Sequence, residues 1–420
     1  MVAVVFFIIL MMGLPIALVL AVSALFYIFY SGQTVLLQSF AQQLFSGVQS
    51  YGLLAVPLFM LAGELMNEGG LTKRLIDFAS VFIGRVRGGL AYINLIVNMM
   101  MASIIGSAAA QIAIMSRAMV PEMEQKGYDR SFAAATTAAG GLLSPIIPPS
   151  MLFVIYGVLA QIAIGDMFIA GIIPGLIMSF GFFVAIAFLG RKYNYPVGEK
   201  KTVKEIKTSL TMGAPTLLIP VVIVGGILAG FTTPTESAAV ASVVAFILGR
   251  FFYKELKFEQ IPKVLLRTGI NTSIVVFIVA TANLFGWIII YEQVPQNLAA
   301  QLVEITQDPL IFLLLVNLAL LFVGMILDGI AALILVVPIL LPIAQDNYGI
   351  DPYHFGVVIC INLVLGLLTP PVGAGLFVTT AMTGVKPGAL FKALIPFLVT
   401  TVIALLLISW QPALVTWLIN

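Results

Sequence analysis

Residues 313–341 read LLLVNLALLFVGMILDGIAALILVVPILL, an apolar run with a single charge, Asp328, near its middle. About twenty apolar residues cross a bilayer as a helix, but the flanks of this run exclude a simple crossing. Neither 292–308 nor 345–353 contains Lys or Arg, and those residues mark the cytoplasmic side. Both ends therefore lie on the outer side. Segment 309–344 is long enough for two arms of roughly 16 residues at 1.5 Å per residue, each shorter than a full span. It reads as a re-entrant hairpin, with Gly324–Ala331 (GMILDGIA) as its tip.

Segment 89–123 is the counterpart from the other side. Lys73, Arg74, Arg85 and Arg87 precede it, and Lys126 and Arg130 follow it. It reads as a hairpin entering from the cytoplasm, with its tip at Ser103–Ala110 (SIIGSAAA). Arg117 is the one base inside an arm; it either snorkels to the cytoplasmic end or faces the transport path.

Composition agrees with a polytopic membrane protein. Hydrophobic residues make up 61% and charged residues 9% of the 420 residues. A soluble domain has about a quarter of its residues charged. The apolar runs are long and unbroken, which excludes the short alternating segments of a membrane β-barrel. Helices are expected near 2–12, 15–30, 51–67, 166–190, 213–230, 234–250, 268–291 and 389–411, and 31–50 and 254–267 read as interfacial. The first apolar run is not led by a basic region, so it reads as a membrane helix and not as a signal peptide. One cysteine, Cys360, excludes an internal disulfide. The single histidine, His354, reads as a satisfied polar residue near a helix end.

The two hairpins belong to an internal repeat. VNMMMASIIGSAAA (97–110) matches VNLALLFVGMILDG (316–329), VPEMEQKGYD (120–129) matches LPIAQDNYGID (341–351), and GLLSPIIPPS (141–150) matches GLLTPP (366–371). The offsets run from 219 to 225 in a shared order, and the flanking bases give the copies opposite orientation. The ground plan is an inverted-topology repeat, common among secondary transporters. The first copy covers 1–190, with hairpin 89–123 and a broken helix at 129–162. A basic cytoplasmic connection covers 191–212. The second copy covers 213–420, with hairpin 309–344 and a broken helix at 353–383.

Chemistry is expected where backbone leaves the helix at membrane depth, because unpaired amides persist there only around a site or inside protein. The two tips and the proline-rich breaks Ser144–Ser150 (SPIIPPS) and Thr369–Gly375 (TPPVGAG) are such places. Carbonyls and hydroxyls converging without water suit a dehydrated monovalent cation. Two Na⁺ sites are expected. The first joins Ser103, Gly106 and Ser107 to Ser144, Pro145 and Ile147; the second joins Gly324 and Asp328 to Thr369, Pro370 and Gly373. Helix N-termini at Ser107, Ser150, Gly329 and Gly373 would offer donors to an organic carboxylate. No P-loop, zinc motif or nucleophile elbow is present, so ion coupling, and not nucleotide hydrolysis or enzymatic chemistry, is the expected energy source.

Several segments resemble the large membrane (M, or DctM-like) subunit of tripartite ATP-independent periplasmic (TRAP) transporters. They include GELMNEGGLTKRLIDFA (63–79), GSAAA with SPIIPPSMLFVIYGVLA (106–160), FIAGIIPGL (168–176), GGILAGFTTPTESAAVA (225–241), and ILDGIAALILVVPILLPIA with GLLTPPVGAGLFV (326–378). The resemblance implies an elevator-type transporter of the bacterial inner membrane that imports an organic acid, such as a sialic or other sugar acid or a C4-dicarboxylate, on a sodium gradient. It also implies two partners, a small four-helix membrane subunit and a periplasmic substrate-binding protein, and no nucleic acid. The chain opens on the first repeat helix, so the small subunit is expected as a separate chain. Gln111 and its neighbours are neutral where many family members carry an acid, so no carboxylate is carried over to the first ion site. The alternative is a stand-alone ion-coupled carboxylate transporter of related fold.

Overall fold

Proline, glycine and capping residues divide the apolar chain into helices. The computed structural model describes residues 2–82, 86–197 and 203–419; Arg85 lies outside them, as do Lys200 and Lys201, two bases of the central connection. Apart from one isolated bridge between Arg87 and Val197, every regular element among the described residues is helical. The first half contains α1 (Val2–Met11), α2 (Ile16–Tyr30), α3 (Leu37–Ser46), α4 (Ala55–Glu68), α5 (Leu71–Phe82), α6 (Gly89–Ile105) and α7 (Ala108–Gln125). It continues with α8 (Arg130–Gly141), α9 (Met151–Ala160) and α10 (Ile164–Lys192). Next, α11 (Val203–Gly213), α12 (Leu218–Pro220) and α13 (Gly226–Leu228) run together as one span, Ile206–Leu228. Then come α14 (Pro234–Ile247), α15 (Ile261–Tyr291), α16 (Val294–Ile305), α17 (Pro309–Ile326) and α18 (Gly329–Asp346). The chain closes with α19 (Pro352–Leu367), α20 (Ala374–Thr383), α21 (Pro387–Trp410) and α22 (Ala413–Thr416). Among the described residues, seven helices are long and apolar enough to cross a membrane, or eight if the bent pair Thr34–Ser46 and Tyr51–Glu68 is one span.

Two boundaries need correction, and two helices were not expected. Residues 261–267 are continuous with the next span and not a separate segment: Pro262, whose fixed φ suits the first helical turn, opens α15, and the helix runs 31 residues from Ile261 to Tyr291. The connection is shorter than 191–212, because α11 starts at Val203 and leads directly into the next span. The segments after 67 and 292 are helical, as α5 and α16; both are amphipathic, and their polar faces hid them among loop residues.

Contacts sort the loops into two groups. At the basic end, Arg74 pairs with Glu255 (2.7 Å), Arg267 with Glu68 (2.7 Å), and Arg130 Nε donates to Thr383 O (2.9 Å). At the other end, Tyr27 bonds Glu292, Tyr291 Oη donates to Gln33 (2.5 Å), Tyr353 Oη donates to Asp166 (3.3 Å), and Tyr348 Oη donates to Thr306 O (3.0 Å). Loops rich in bases meet one another, and loops without bases meet one another.

The centre is formed by α8 and α19. Every residue from Phe132 to Gly141 and from His354 to Leu367 is buried. The Ala, Gly and Thr residues of α8 allow the close approach that helices need where no hydrophobic drive separates protein from lipid. Helices α6 and α7 pack on α8, α17 and α18 pack on α19, and α10 and α21 bind the two units together. Outside them, α2, α4, α14 and α15 pack as a framework, with apolar side chains such as Phe29, Val243 and Phe277 exposed as a lipid-facing surface requires.

Candidate functional site

The functional geometry begins at two interruptions of two residues each. Helix α6 ends on Gly106, whose φ of +63° is a conformation that glycine adopts without steric cost. Ser107 then caps α7, its hydroxyl accepting from Ala110 N at 3.5 Å. Helix α17 ends before Leu327, and Asp328 caps α18, its Oδ2 accepting from Ile330 N at 3.2 Å. Ser107 and Asp328 thus occupy the same structural position, 221 residues apart. Ser103 lies in the last turn of α6 and not in the break, and its side chain is outside the described residues.

The second pair of interruptions lies in the central helices. Backbone leaves α8 at Leu142 and re-enters helix at α9, capped by Ser150; it leaves α19 at Leu368 and re-enters at α20, capped by Gly373 with φ +55°. Both proline pairs, Pro148–Pro149 and Pro370–Pro371, have cis peptide bonds. Four helices, α7, α9, α18 and α20, therefore start at the four breaks, and their free amides and partial positive ends are features that bind anions.

These starts are brought together. A Cβ placed on Gly106 would lie 3.4 Å from Met151 N, so the first tip rests on the start of α9. Gly373 N donates to Met325 O at 2.9 Å, tying the second break to the second tip. A Cβ on Gly366 would lie 2.5 Å from the carbonyl carbon of Gly324, so these helices touch backbone to backbone. A Cβ on Gly329 would lie 3.5 Å from Leu152 Cδ1, which sets the second tip against the first turn of α9. No hydrogen bond among the described residues joins Ser107 to Ser144, or Asp328 to Thr369.

The expected ion ligands differ in how their oxygens are occupied. Ser144 Oγ is fully buried and has no hydrogen-bond partner, an arrangement that needs a ligand or a water to offset its desolvation. Pro145 O accepts the Ser150 hydroxyl at 2.5 Å, and Ser150 Oγ accepts from Phe153 N at 3.2 Å. The Ser150 hydroxyl is thus committed to holding the break, and what remains for a substrate there is the α9 N-terminus. Ile147 N is bonded to Leu143 O at 2.8 Å, leaving its carbonyl as the group available to a cation. Thr369 Oγ1 donates to Leu365 O at 2.8 Å, which turns its lone pairs outward. Asp328 is exposed at its turn and brings the only formal charge to the four breaks. Hard oxygen donors of this kind fit Na⁺ and not a soft metal; among the described residues no cluster of His, Cys, Asp and Glu suits a transition metal.

Two buried polar networks were not legible as functional in the sequence. In the first, Asn94 Nδ2 donates to Thr137 (2.7 Å), Asn98 Nδ2 to Asn94 (2.8 Å), and Gln111 Nε2 to Asn98 Oδ1 (2.9 Å), which binds both arms of the hairpin to α8. In the second, Asn362 Nδ2 donates to Asn317 (3.0 Å) and Asn317 Nδ2 to Ser409 (3.0 Å). Their signal was the Val-Asn pair opening each hairpin match, read there only as a mark of the repeat. Arg117 is exposed, with its Nε 3.2 Å from Met382 Sδ of α20. His354 is buried and satisfied, its Nε2 lying 2.8 Å from Ile408 O.

Beside the first tip is a cavity of about 370 Å³. Ser107, Met151 and Ile330 line one wall; Glu64, Asn67 and Asn271 of α4 and α15 line the other. A wider cavity of about 1400 Å³ opens among the base-free loops and includes Gln43, Thr233, Glu236 and Trp287.

Comparison with known proteins fits this geometry. Residues 3–414 match the family described as the tripartite ATP-independent periplasmic transporter, DctM component. The chain is 38% identical to the C4-dicarboxylate TRAP transporter large permease protein DctM of Pseudomonas aeruginosa, over 90% of this chain and 88% of that protein. It is also 38% identical to the sialic acid TRAP transporter large permease protein SiaM of Vibrio cholerae, over 95% and 93% of the two chains. The crystal structure of the Alcanivorax borkumensis YdaH transporter shares the fold, with a TM-score of 0.68 at 13% identity over 90% of this chain and 88% of that one. These relatives are permeases, and this chain is accordingly a multi-pass transport protein and not an enzyme. It belongs to the DctM family, the large permease component of tripartite ATP-independent periplasmic transporters.

Proposed function

We propose that this chain is the translocating subunit of a sodium-coupled importer for an organic acid, working in the bacterial inner membrane by an elevator movement. The observation that carries the proposal is the meeting of helix starts at four non-helical breaks, with the unpartnered Ser144 hydroxyl in the break between α8 and α9 and the Asp328 carboxylate at the second tip. Helix starts hold the substrate carboxylate; hydroxyls, backbone carbonyls and Asp328 hold two Na⁺ ions that travel with it. The first ion site uses Ser103, Gly106, Ser107, Ser144, Pro145 and Ile147, and the second Gly324, Asp328, Thr369, Pro370 and Gly373. Sodium neutralises the oxygens that would otherwise repel the acid, which couples the two bindings.

The chain divides into two inverted copies, 1–190 and 213–420, in which the helices around α8 and α19 move as one body against the framework of α2, α4, α14 and α15. Supporting this, the α6–α7 hairpin hangs from the basic end and the α17–α18 hairpin from the base-free end. The large permeases named above are parts of TRAP systems, and we assign this chain two partners: a small membrane subunit against the framework, and a periplasmic binding protein on the base-free face that delivers the acid.

The test is uptake of labelled organic acids by proteoliposomes containing this chain and its small partner, with and without an inward sodium gradient and a loaded binding protein. Uptake that requires both is the expected result. Uptake that needs sodium but no binding protein would move the chain to the stand-alone class; uptake indifferent to sodium would overturn the ion sites.

A further inference from the structure

The two walls of the 370 Å³ cavity beside the first tip differ in electrostatic character. Ser107, Met151 and Ile330 stand in the first turns of α7, α9 and α18, so this wall presents partial positive helix ends. The opposite wall carries Glu64, and one guanidinium serves two carboxylates behind it: Arg267 lies 3.8 Å from Glu64 and 2.7 Å from Glu68. That trio sums to one negative charge, and no Lys or Arg lines the cavity among the described residues. Asn67 and Asn271 stand on the same wall, exposed to the cavity, and neither side chain has a hydrogen-bond partner among the described residues. Two unspent amides facing one half-open cavity are the kind of convergent polar groups that orient a small ligand.

We propose that Asn67 and Asn271 form the second half of the substrate site, binding the hydroxyl or carbonyl end of a monocarboxylic acid whose carboxylate sits at the helix starts opposite. This rests on the functional reading above and extends it to the class of acid. Each amide offers two donors and an acceptor, which suits hydroxyl and acylamino groups of either polarity. A second carboxylate at that end would face Glu64 with no base free to compensate it, a like-charge arrangement that specific sites use to reject the wrong partner. The chemistry therefore selects a polyhydroxylated monocarboxylate over a dicarboxylate of similar length. It also places two selecting residues on the framework, so that the acid bridges both bodies of the protein while the cavity is open.

The test is calorimetric binding of gluconate, N-acetylneuraminate and succinate to the purified chain with its small membrane partner, in saturating sodium and without any binding protein, so that receptor selectivity cannot intervene. The hydroxylated acids should bind about tenfold or more tightly than succinate. The double variant Asn67→Ala/Asn271→Ala should weaken the hydroxylated acids by about tenfold, the size of losing one or two hydrogen bonds, while changing succinate less than about twofold. Glu64→Gln should tighten succinate severalfold, and Asn271→Ser, which keeps a hydroxyl, should give an intermediate loss even if the double variant folds poorly. Sodium-dependent binding that ignores the Asn67 and Asn271 variants, or succinate binding as tightly as gluconate, would overturn the inference and leave the transporter reading in place. Binding of no acid at any sodium concentration would overturn both.

Discussion

The two tips hold the same place in their hairpins and differ in charge. Ser107 caps α7 with a neutral hydroxyl, and Asp328 caps α18 with a carboxylate. Their surroundings differ in the same sense. The first tip is held by the Asn94–Asn98–Gln111–Thr137 network within its own hairpin and α8, and rests on the start of α9 at Met151. The second is held by backbone, through Gly373 N to Met325 O and the Gly324–Gly366 approach. One tip is therefore a set of dipoles around a packed polar core, and the other a formal charge on a rigid backbone frame. On the proposed reading the second site binds its ion more tightly, because a formal charge attracts Na⁺ more strongly than hydroxyl and carbonyl dipoles do. The first then fills last and responds most to the arriving acid.

The sharpest way to break this comparison is to remove the charge. Asp328→Asn should raise the sodium concentration for half-maximal uptake by about thirtyfold or more, the scale of losing a contact to a charged group. Unchanged sodium dependence in transport assays would make the two tips equivalent and remove Asp328 from the ion site. The backbone frame is tested next. Gly366→Ala puts a Cβ within 2.5 Å of the Gly324 carbonyl carbon, where nothing can yield without moving a helix. A loss of about 1–3 kcal/mol is expected from such overpacking, read as a lower thermal unfolding midpoint in detergent. The counterpart Gly141→Ala meets Ile112 Cγ1 at 2.4 Å, the stem of a fully buried β-branched side chain, and should cost a similar amount.

Two smaller effects sharpen the first tip. Ser144→Ala should raise the half-maximal sodium concentration by about tenfold while leaving thermal stability unchanged or improved, since it removes a buried polar atom with no protein partner. Lower stability with unaltered sodium dependence would make the hydroxyl structural. Ser107→Ala should have the mildest effect, about threefold in sodium, with about 1 kcal/mol lost from the α7 cap; its cap contact is long, 3.5 Å, and the backbone ligands remain. If Ser107→Ala proved more damaging than Asp328→Asn in the same uptake assay, the order of the two sites would be reversed.

Much of the architecture was legible because hydrocarbon restricts what a chain can do. Long apolar runs must be helical, bases stay on one side, and a break in a helix at depth is tolerated only within protein. From those rules the segments 89–123 and 309–344 and the breaks near 144–150 and 369–375 were expected, and helices end within or beside them at Ile105, Ile326, Gly141 and Leu367. The amphipathic helices α5 and α16 escaped, because polar faces at an interface look like loop. The extension of α15 to Ile261 escaped because basic residues on the first turns of a helix read the same as a basic loop.

What sequence alone determined was therefore the class, most of the helices and the four places where the helices break, since each follows from local composition and the solvent around it. Tertiary structure decided which oxygens are free. Ser150 and Ser144 lie six residues apart in one proline-rich break, yet folding commits the first hydroxyl to Pro145 O and Phe153 N and leaves the second without a partner. It likewise brought Asn67 and Asn271, some two hundred residues apart in the chain, onto one wall opposite Ser107. Hydrogen-bond occupancy and wall charge depend on which helices meet, and no local pattern of residues encodes that meeting.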